Sequence, residues 1–376
     1  MANKEKLAHP LKVEKIIQET PDTKSLVFTI PPELGEDYRY EAGQFTSLFM
    51  NVGGEEIVRS YSLCTAPETD SEFKITIKKV PHGRGSTYLV DEVQVGDEIW
   101  CGKPKGHFFK KHPDGTHLIL VAAGSGVTPL MSILKHTLAT TAKSTVSLVF
   151  SCRDQNQIIF KDELSKWQES FPERFRLIQV LTRPLPGWSG LSGRLNAEAL
   201  DALFGPQENG PSVSRQAYVC GPTEFMNMVK ESLESIGMDK KSIHSESFGS
   251  SHPHQASAGQ AGEGPQADGS VIVGDPMADA GEKPEVIEAY FDGERVEVPA
   301  KENMSILDTL LEAGHNPPYS CMSGACTACM AKVEEGRVRQ REPGSLSPEN
   351  FSAREILTCQ SEPMSKRVKV RFTSGD

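Results

Sequence analysis

Short runs in which apolar and polar residues alternate dominate the first part of the chain. Turn residues separate these runs, and the clearest of them are Ser25–Ile30, Phe45–Phe49 and Phe73–Lys78. Alternation with a period of two residues is typical of half-buried β-strands. Several short strands of this kind predict a small antiparallel β-barrel over residues 1–113.

The hydrophobic pattern changes at about residue 114, where apolar strands begin to alternate with helical segments. The predicted helices include Leu130–Leu138 and Phe225–Ile236. The predicted strands are His117–Ala122, Val146–Phe150, Phe175–Leu181 and Gln216–Cys220. Alternation of strands with helices favours a parallel sheet covered by helices, so residues 114–249 are predicted to form an α/β domain.

A third region follows a segment of unusual composition. Between residues 250 and 284, Gly, Ala, Ser, Pro, Gln and acidic residues dominate, and only Val271–Val273 is apolar, which predicts a flexible linker. Residues 285–376 then show a hairpin pattern around Asp292-Gly293 and a helix from about Ser305 to Ala313. Basic residues alternate between Lys366 and Arg371, which predicts a strand at a solvated sheet edge rather than a docking patch.

Composition and charge narrow the class of protein. The chain has 376 residues, more than one hydrophobic core usually supports, and no run approaches the roughly 20 apolar residues of a membrane span. Residues 1–10 are charged and show no secretory signal, so we expect a cytoplasmic protein. The net charge of -11 argues against nucleic acid as a partner and favours protein and nucleotide partners.

Four of the eight cysteines are grouped near the end of the chain, while the other four are scattered. The group consists of Cys321-x4-Cys326-x2-Cys329 and then Cys359. This is the spacing by which plant-type ferredoxins hold a 2Fe-2S cluster, and small residues between the cysteines let the loop fold tightly. Four thiolates also suit zinc, but zinc ribbons favour paired Cys-x2-Cys knuckles. The spacing therefore predicts a 2Fe-2S site.

A tetrapeptide after the strand at residues 44–50, Arg59-Ser60-Tyr61-Ser62, resembles the flavin-binding motif of the ferredoxin–NADP reductase superfamily. The resemblance implies that Arg59 contacts the flavin phosphate, that the Tyr61 ring lies on the isoalloxazine, and that Ser62 hydrogen-bonds near the reactive nitrogen. A forked guanidinium and a flat amphipathic ring suit these roles.

A second segment, Gly83-Arg84-Gly85-Ser86-Thr87-Tyr88-Leu89, resembles the second flavin loop of the same superfamily. There, small residues such as Gly85, Ser86 and Thr87 begin a helix whose N–H groups face a pyrophosphate. Because FMN has no pyrophosphate, the resemblance favours FAD. It also implies that Ile77 and Lys78 contact the flavin.

The strand Leu118–Ala122 leads into a glycine-containing turn, Ala123-Gly124-Ser125-Gly126-Val127-Thr128-Pro129. Glycines at a strand-to-helix turn let the backbone approach a dinucleotide, and proline is tolerated in a first helical turn. The turn resembles the nicotinamide loop of the superfamily, which implies contacts from Gly124, Gly126, Thr128 and Pro129.

Two further motifs resemble elements of the same superfamily. Cys220-Gly221-Pro222 is similar to the turn beside the nicotinamide, and Glu246-Ser247-Phe248 is similar to the element that closes the flavin site. The nucleotide preference stays open at this point. Arg153 suits a 2'-phosphate, Asp154 suits a ribose 2'-hydroxyl, and Arg194 is another candidate for a phosphate contact.

The order of these motifs resembles oxygenase reductases with a C-terminal ferredoxin domain. The resemblance implies a flavin barrel, a nucleotide domain and a β-grasp ferredoxin domain over 285–376. It also implies hydride transfer from NAD(P)H to FAD, then transfer of single electrons through the cluster to a partner such as an oxygenase component. Tyr61, Ser62, Cys220 and Glu246 are the candidates for the reacting centre, with no acid, base or nucleophile required. The alternatives are a reductase of a small acceptor and an electron carrier with a vestigial nucleotide site.

Overall fold

The computed structural model describes residues 8–81, 83–106, 108–205, 214–246, 248, 270–275, 283–291, 293–301, 304–315, 317–319, 324, 329–341, 346 and 348–373. The chain folds as two compact units, Met1–Ser247 and Phe248–Asp376. No helix in the described ranges combines the length and the apolar composition that crossing a membrane requires.

The first unit begins with an antiparallel barrel. Its six strands are β1 (Ala8–Thr20), β2 (Thr23–Thr29), β3 (Phe45–Val52), β4 (Glu55–Ser62), β5 (Phe73–Lys78) and β6 (Glu98–Gly102). They are joined in the order β4-β3-β6-β1-β2-β5, and a bridge between Leu63 and Ile75 links the two outer strands. Alternate residues, such as Leu26 and Phe28 on β2, enter one core. The predicted barrel is therefore confirmed.

One short helix covers the barrel. This helix, α1 (Arg84–Asp91), buries Leu89 and Val90 in the barrel core. Its polar first turn follows β5, so the segment that resembles the second flavin loop begins a helix, as the sequence predicts.

A parallel sheet completes the first unit. Its strands are β7 (His117–Ala123), β8 (Thr145–Cys152), β9 (Phe175–Leu181), β10 (Leu191–Ser192), β11 (Arg215–Cys220) and β12 (Ile243–Glu246). Its helices are α2 (Val127–Thr140), α3 (Lys161–Ser170), α4 (Ala197–Phe204) and α5 (Thr223–Ser235). All neighbouring strands run parallel, in the order β10-β9-β8-β7-β11-β12. The predicted α/β domain and both predicted helices are confirmed.

The central strand β7 fixes where this sheet can bind a ligand. Leu118 and Leu120 enter the core on one face of the sheet, and Ile119 and Val121 enter the core on the other. The chain leaves β7 towards β8 on one side, and β11 lies on its other side. Such a change of direction opens a crevice at the carboxyl ends of the strands, which is the usual ligand site of a parallel sheet.

The second unit contains two small sheets. A five-stranded sheet has the order β15-β14-β20-β16-β18, and a three-stranded sheet has the order β13-β17-β19. Their strands are β13 (Val271–Gly274), β14 (Val286–Phe291), β15 (Glu294–Pro299), β16 (Met330–Glu335), β17 (Arg337–Gln340), β18 (Glu355–Leu357), β19 (Ser361–Pro363) and β20 (Arg367–Phe372). The helices are α6 (Ile306–Glu312) and α7 (Pro348–Ser352).

The local predictions for this unit are confirmed in two places. The predicted hairpin is the antiparallel pair β14–β15. The predicted helix is α6, and Ser305 caps it because its hydroxyl accepts a hydrogen bond from the N–H of Asp308 at 3.0 Å.

The predicted position of the basic C-terminal strand is wrong. Strand β20 lies inside the five-stranded sheet, between β14 and β16, and not at an edge. Its charged side chains pair across one face: Arg367 contacts Glu288 and Glu297, and Lys369 and Arg371 contact Glu334. Acidic residues on other strands of the sheet therefore neutralise the alternating basic residues, which the sequence analysis placed at a solvated edge.

The predicted linker, residues 250–284, contains a strand that sequence reasoning did not assign. Strand β13 pairs antiparallel with β17, and Val273 is 3% exposed in the core of the second unit. Gly274 allows this approach, because its φ is +124° and a Cβ there would lie 2.1 Å from the Gly336 carbonyl oxygen. Four residues of the predicted linker thus form a strand of the second unit. The domain limits at 113, 249 and 284 stay predictions.

We expect Val273→Asp to release β13 from β17. The substitution places a carboxylate in an apolar core and removes the stabilisation of about 1.5–3 kcal/mol that burial of the valine side chain contributes. Hydrogen exchange of the amides of residues 271–274 should then become about 10- to 100-fold faster, as measured by mass spectrometry. Ile272→Asp is the matched control, since Ile272 is only partly buried on the opposite face of the same strand. Equal exchange in the two variants would contradict the assigned docking.

Candidate functional site

The two segments that resemble flavin-binding motifs meet at the end of β4. Arg59 is exposed, and its Nη1 donates a hydrogen bond to the Val58 carbonyl at 2.8 Å. The Ser60 hydroxyl lies 3.0 Å from the Ser47 hydroxyl on β3. A Cβ on Gly85 would lie 3.2 Å from Arg59 Cγ, so the helix α1 packs closely against this strand at residue 85. The structure therefore brings the two predicted flavin segments together.

The turn before α1 is held by its own hydroxyl group. Ser86 Oγ donates to the Gly83 carbonyl at 3.2 Å and accepts from the Val80 N–H at 3.2 Å. Thr87 N–H bonds to the Gly83 carbonyl at 3.0 Å, which starts the helix. These contacts fix the orientation of the first N–H groups of the helix, the part that would face a pyrophosphate.

Ile77 and Lys78 have other partners within the protein. Ile77 is fully buried in the barrel core. The Lys78 ammonium donates to both carboxylate oxygens of Asp22, at 2.8 and 2.9 Å, and to Gln157 Oε1 at 2.6 Å. The side chains of both residues therefore serve structural contacts, and only their backbone atoms stay available for the predicted flavin contact.

The nucleotide turn packs against the end of β11. Gly124 has φ of +55°, and α2 begins at Val127 with Thr128 Oγ1 donating to the Ser125 carbonyl at 3.0 Å. A Cβ on Gly126 would lie 2.2 Å from the Cys220 carbonyl oxygen. Only glycine permits this approach. Pro129 lies in the first turn of α2, where its missing N–H is harmless.

The turn after β11 is also closely packed. A Cβ on Gly221 would lie 3.0 Å from both the Ala123 Cβ and a Phe225 ring atom, and Pro222 precedes the first residue of α5. Gly126 and Gly221 therefore let the ends of β7 and β11 come together. The predicted nucleotide residues meet at the carboxyl edge of the parallel sheet.

Ser62 and Glu246 join the barrel to this edge. The Ser62 hydroxyl, at the end of β4, donates to Glu246 Oε2 at 3.5 Å, although 184 positions separate the two residues. Glu246 in turn lies beside Cys220 in the β11–β12 register. Three of the four predicted reacting-centre residues are thus adjacent, on elements from both lobes.

Two ionisable groups at this place, Cys220 and Tyr61, are held neutral. Burial raises the pKa of the Cys220 thiol well above its ordinary value, and the Glu246 carboxylate raises it further. Burial likewise raises the pKa of Tyr61. Cys220 is fully buried, so its thiol contacts no solvent in this structure. A neutral, buried thiol is a small packing group and not a nucleophile, which suits the expectation that no covalent catalysis is needed.

Phe248 is 40% exposed, and Ser247 lies outside the described residues. The predicted role of Phe248 in closing the flavin site stays a prediction.

Three arginines lie at the carboxyl edge of β8, β9 and β10. Cys152, Leu181 and Ser192 form one row across these strands, and the arginines follow within two positions of it. They are Arg153, Arg183 and Arg194. Adjacent strands lie about 4.8 Å apart, so this edge concentrates positive charge. All three side chains are exposed, and none forms a hydrogen bond or ion pair with the residues that the structure describes.

The Asp154 carboxylate, the candidate for a contact with a ribose 2'-hydroxyl, already has a hydrogen-bond partner in its own turn. Its Oδ1 accepts a hydrogen bond from the Asn156 N–H at 2.9 Å, which caps the short turn after β8. Sequence reasoning missed Arg183. The signal was available, because Arg183 follows the predicted strand Phe175–Leu181 closely and so falls at the same edge as Arg153.

Two of the four predicted cluster ligands lie in one small apolar pocket. Cys329 is 1% exposed and Cys359 is 7% exposed, and both pack with Leu307, Leu346 and Leu357. The N–H and the hydroxyl of Thr358 donate to the Cys329 carbonyl, at 3.1 and 2.9 Å. Cys321 and Cys326 lie outside the described residues.

A buried amide holds the chain on either side of Cys359. Gln340 is fully buried, and its Oε1 accepts from the Leu357 N–H at 2.9 Å and from the Ser361 hydroxyl at 2.7 Å. No sequence pattern singled out Gln340, because a polar residue in a short strand usually indicates exposure. Two buried cysteines in one apolar cluster, with hydrogen bonds that hold the chain on both sides of Cys359, fit a sulfur-ligated iron site.

Comparison with known proteins relates three successive regions of the chain to known domain families. Three family models match in succession: the oxidoreductase FAD-binding domain at residues 10–109, the oxidoreductase NAD-binding domain at 120–231 and the 2Fe-2S iron-sulfur cluster binding domain at 289–364. The ferredoxin reductase component of 3-ketosteroid-9-alpha-monooxygenase from Rhodococcus rhodochrous is 34% identical, over 96% of each chain. The chain belongs to this family of oxygenase ferredoxin reductases.

Other relatives show the same architecture. One of the polypeptides of 1,2-phenylacetyl-CoA epoxidase from Escherichia coli K12 is 29% identical, over 97% of each chain. The solved structure of phthalate dioxygenase reductase has a TM-score of 0.61 and 22% identity, covering 98% of this chain and 99% of that one, and it shows the shared fold. The chain is therefore an oxidoreductase with FAD-, NAD- and 2Fe-2S-binding domains, and the predicted multi-domain fold and cofactors are confirmed.

We expect Gly126→Ala to abolish nucleotide binding and to lower the free energy of unfolding by ~1–3 kcal/mol, because the new Cβ would overlap the Cys220 carbonyl. Calorimetric titration with NADPH and NADH, together with urea denaturation, checks both effects. For stability, Gly124→Ala is the comparison, since its Cβ would have nothing within 4 Å and costs only left-handed backbone strain of about 1–2 kcal/mol. Native nucleotide affinity in Gly126→Ala would refute the assigned close approach.

Proposed function

We propose that this chain takes a hydride from NADPH onto FAD and passes single electrons through its 2Fe-2S cluster to an oxygenase component in the cytoplasm. The observation that carries the proposal is the Ser62–Glu246 contact, which joins the strand of the flavin motif to the carboxyl edge of the nucleotide sheet. A flavin ring held by the strand of the flavin motif and a nicotinamide ring held by the edge of the nucleotide sheet would face each other across that contact.

The protein residues have binding and orienting roles. Bound FAD supplies the chemistry that converts a two-electron donor into a one-electron donor. Arg59 and the first turn of α1 hold its phosphates, and Tyr61 lies against its ring. Ser62 supplies a hydroxyl that faces the Glu246 carboxylate at 3.5 Å. The Gly124–Gly126 turn and Gly221 leave room for the nucleotide backbone, and Thr128 and Pro129 shape the start of α2 beneath it.

The four cysteines Cys321, Cys326, Cys329 and Cys359 hold the cluster in this proposal. The burial of Cys329 and Cys359 supports it, because an apolar pocket limits water at the cluster and so affects its reduction potential. The four scattered cysteines, Cys64, Cys101, Cys152 and Cys220, are buried free thiols, which suits a reducing compartment such as the cytoplasm.

An oxygenase component is the proposed acceptor because the relatives named above are parts of such systems. Those relatives belong to a ketosteroid monooxygenase and a phenylacetyl-CoA epoxidase, so the family resemblance indicates the kind of partner and not its substrate. The net charge of -11 suits a protein partner over a nucleic acid.

We expect purified protein to be yellow-brown, to contain two irons per chain, and to lose flavin absorbance on anaerobic addition of NADPH. Cys359→Ser should keep NADPH-dependent reduction of ferricyanide, which can take electrons from the flavin, but should lose at least about 90% of cytochrome c reduction through loss of the cluster. Cys101→Ser is the control, because Cys101 is an equally buried cysteine in the barrel core.

The alternatives give different results in the same experiment. No flavin bleaching with either nucleotide would identify an electron carrier with a vestigial nucleotide site. Full cytochrome c reduction by Cys359→Ser would show that the flavin delivers electrons without the cluster, as in a reductase of small acceptors.

The preference for NADPH rests on the carboxyl edge of β8–β10. A 2'-phosphate would meet three exposed guanidinium groups that have no partner among the described residues, whereas the carboxylate that would select a ribose hydroxyl already caps the turn after β8. Charge-assisted contacts to phosphate are stronger than contacts between neutral groups.

We expect Arg153→Ala and Arg183→Ala each to raise KM for NADPH about 10-fold or more, since each removes a charge-assisted contact worth roughly 1.5–3 kcal/mol, with little change in KM for NADH. Steady-state kinetics with both nucleotides measures this split. Arg176→Ala is the matched control, because Arg176 is exposed on β9 near the amino end of the strand. Equal changes for both nucleotides, or a native preference for NADH, would refute the assignment.

A further inference from the structure

Four charged side chains, two buried lysines and two partly exposed carboxylates, meet where the barrel contacts the parallel sheet. Lys135, on α2, is 1% exposed, and its Nζ lies 3.1 Å from Asp70 Oδ1 and also contacts Glu163 Oε1. Lys74, on β5, is 6% exposed, and its Nζ lies 3.6 Å from Glu163 Oε2. We call these four residues the Lys135 cluster. Its two ammonium and two carboxylate groups balance in formal charge.

The cluster ties together elements from both lobes. Asp70 belongs to the barrel segment between β4 and β5, which follows the flavin motif in the chain. Its Oδ2 accepts from the Ala66 N–H and the Thr69 hydroxyl, each at 2.9 Å, so the carboxylate has a fixed orientation. Lys135 and Glu163 belong to α2 and α3 of the nucleotide domain. An ion pair between Lys135 and Asp70 therefore spans the two lobes.

The same face of α2 makes two more contacts with this barrel segment. The Ser132 hydroxyl donates to the Thr65 carbonyl at 2.6 Å, and it accepts from the Gly43 N–H at 3.3 Å. His136 Nδ1 lies 2.9 Å from Glu68 Oε1, a close approach without hydrogen-bond geometry. Ser132, Lys135 and His136 are spaced i, i+3 and i+4, so they lie on one face of the helix. Polar contacts with the barrel thus run along more than one turn of α2.

Stability alone does not account for two buried ammonium groups at this place. Removing two charges from water is costly, and well-packed apolar residues usually stabilise a buried interface as well or better. Directional contacts instead specify one relative position of the groups that they join. The apolar contacts nearby do not impose such a position, because apolar packing has little directional preference.

The helix α2 connects the cluster to the reacting centre. Its amino end follows the Gly124–Gly126 turn, and its Lys135 is fixed to the segment that begins directly after Tyr61 and Ser62. A movement of α2 along the barrel would therefore shift the nucleotide turn relative to the flavin strand. Hydride transfer is sensitive to such shifts, since a displacement of 1 Å can cost about 100-fold in rate.

We infer that Lys135 is a positioning residue for hydride transfer, which fixes α2 and the Gly124–Gly126 turn against the strand that carries Tyr61 and Ser62. The inference rests on the proposed function, because it concerns the distance between nicotinamide and flavin. Lys135 contacts neither, and acts only through α2 and Asp70.

The experiment compares Lys135→Met, Asp70→Asn and the double variant Lys135→Met/Asp70→Asn. Lys135→Met alone leaves the Asp70 and Glu163 carboxylates with one ammonium, so it should be destabilised. The double variant leaves Lys74 and Glu163 as a balanced pair and should regain thermal stability. Lys166→Met is the matched control, because Lys166 is an exposed lysine on α3.

We expect the double variant to bind FAD and NADPH like the native protein, to melt within a few degrees of it, and to reduce its flavin about 10- to 100-fold more slowly at saturating NADPH in stopped-flow measurements. Hydrogen exchange in residues 63–72 and in α2 should be faster in the FAD-free double variant, which is a readout independent of turnover. Lys166→Met should match the native protein in every respect.

Two results would overturn the inference. One is a stable double variant that reduces its flavin at the native rate, which would leave the cluster a purely structural role. The other is a loss confined to NADPH affinity, with the limiting rate unchanged. Neither resembles failure of the proposed function, in which the flavin of the native protein would not be reduced by NADPH or NADH at all.

Discussion

The rest of the structure depends on the close approach of Gly126 to the Cys220 carbonyl. Because no side chain intervenes, the ends of β7 and β11 come together and the first turn of α2 lies directly over the edge of the sheet. A methyl group at this position would separate the nucleotide turn from Cys220 and, through the β11–β12 pairing, from Glu246. The contact between Glu246 and Ser62 then brings the barrel to the same edge. The absence of a side chain at residue 126 therefore determines whether the barrel and the parallel sheet can bind two cofactors side by side.

Sequence periodicity predicted the strands in which apolar and polar residues alternate along the sequence. Phe73–Lys78 was located to the residue, because its alternation persists over the whole strand. The 13-residue strand β1 was not predicted, since only Leu11 and Val13 are buried apolar residues with a two-residue spacing before charged residues break the pattern. The helices at 127–140 and 223–235 were found for the same reason as β5, as their apolar residues recur with a helical period over several turns.

The candidate site was predictable where a motif is local and unpredictable where partners are distant. The two flavin segments and the nucleotide turn are short, so their residues are visible together in the sequence. The pairing of Lys78 with Asp22 and Gln157, and of β20 with acidic residues on its neighbours, depends on contacts between residues far apart in the chain. The same holds for Gln340, whose burial follows from its place between β13 and β19. Periodicity carries no information about which charges meet across a fold, and this explains why the ion pair of Lys78 was not foreseen when Ile77 and Lys78 were predicted to contact the flavin.

Strand β13 changes where the ferredoxin portion begins. Its pairing covers one edge of β17, and Ser270 just before it is 3% exposed. A shortened chain that starts at residue 284 would therefore leave an unpaired strand edge beside the sheet that supports Cys359, and bare edges of this kind promote association with other chains. Anyone who wishes to graft this electron-carrying portion onto another enzyme should retain the residues from 270 onward, even though their composition resembles that of a dispensable spacer.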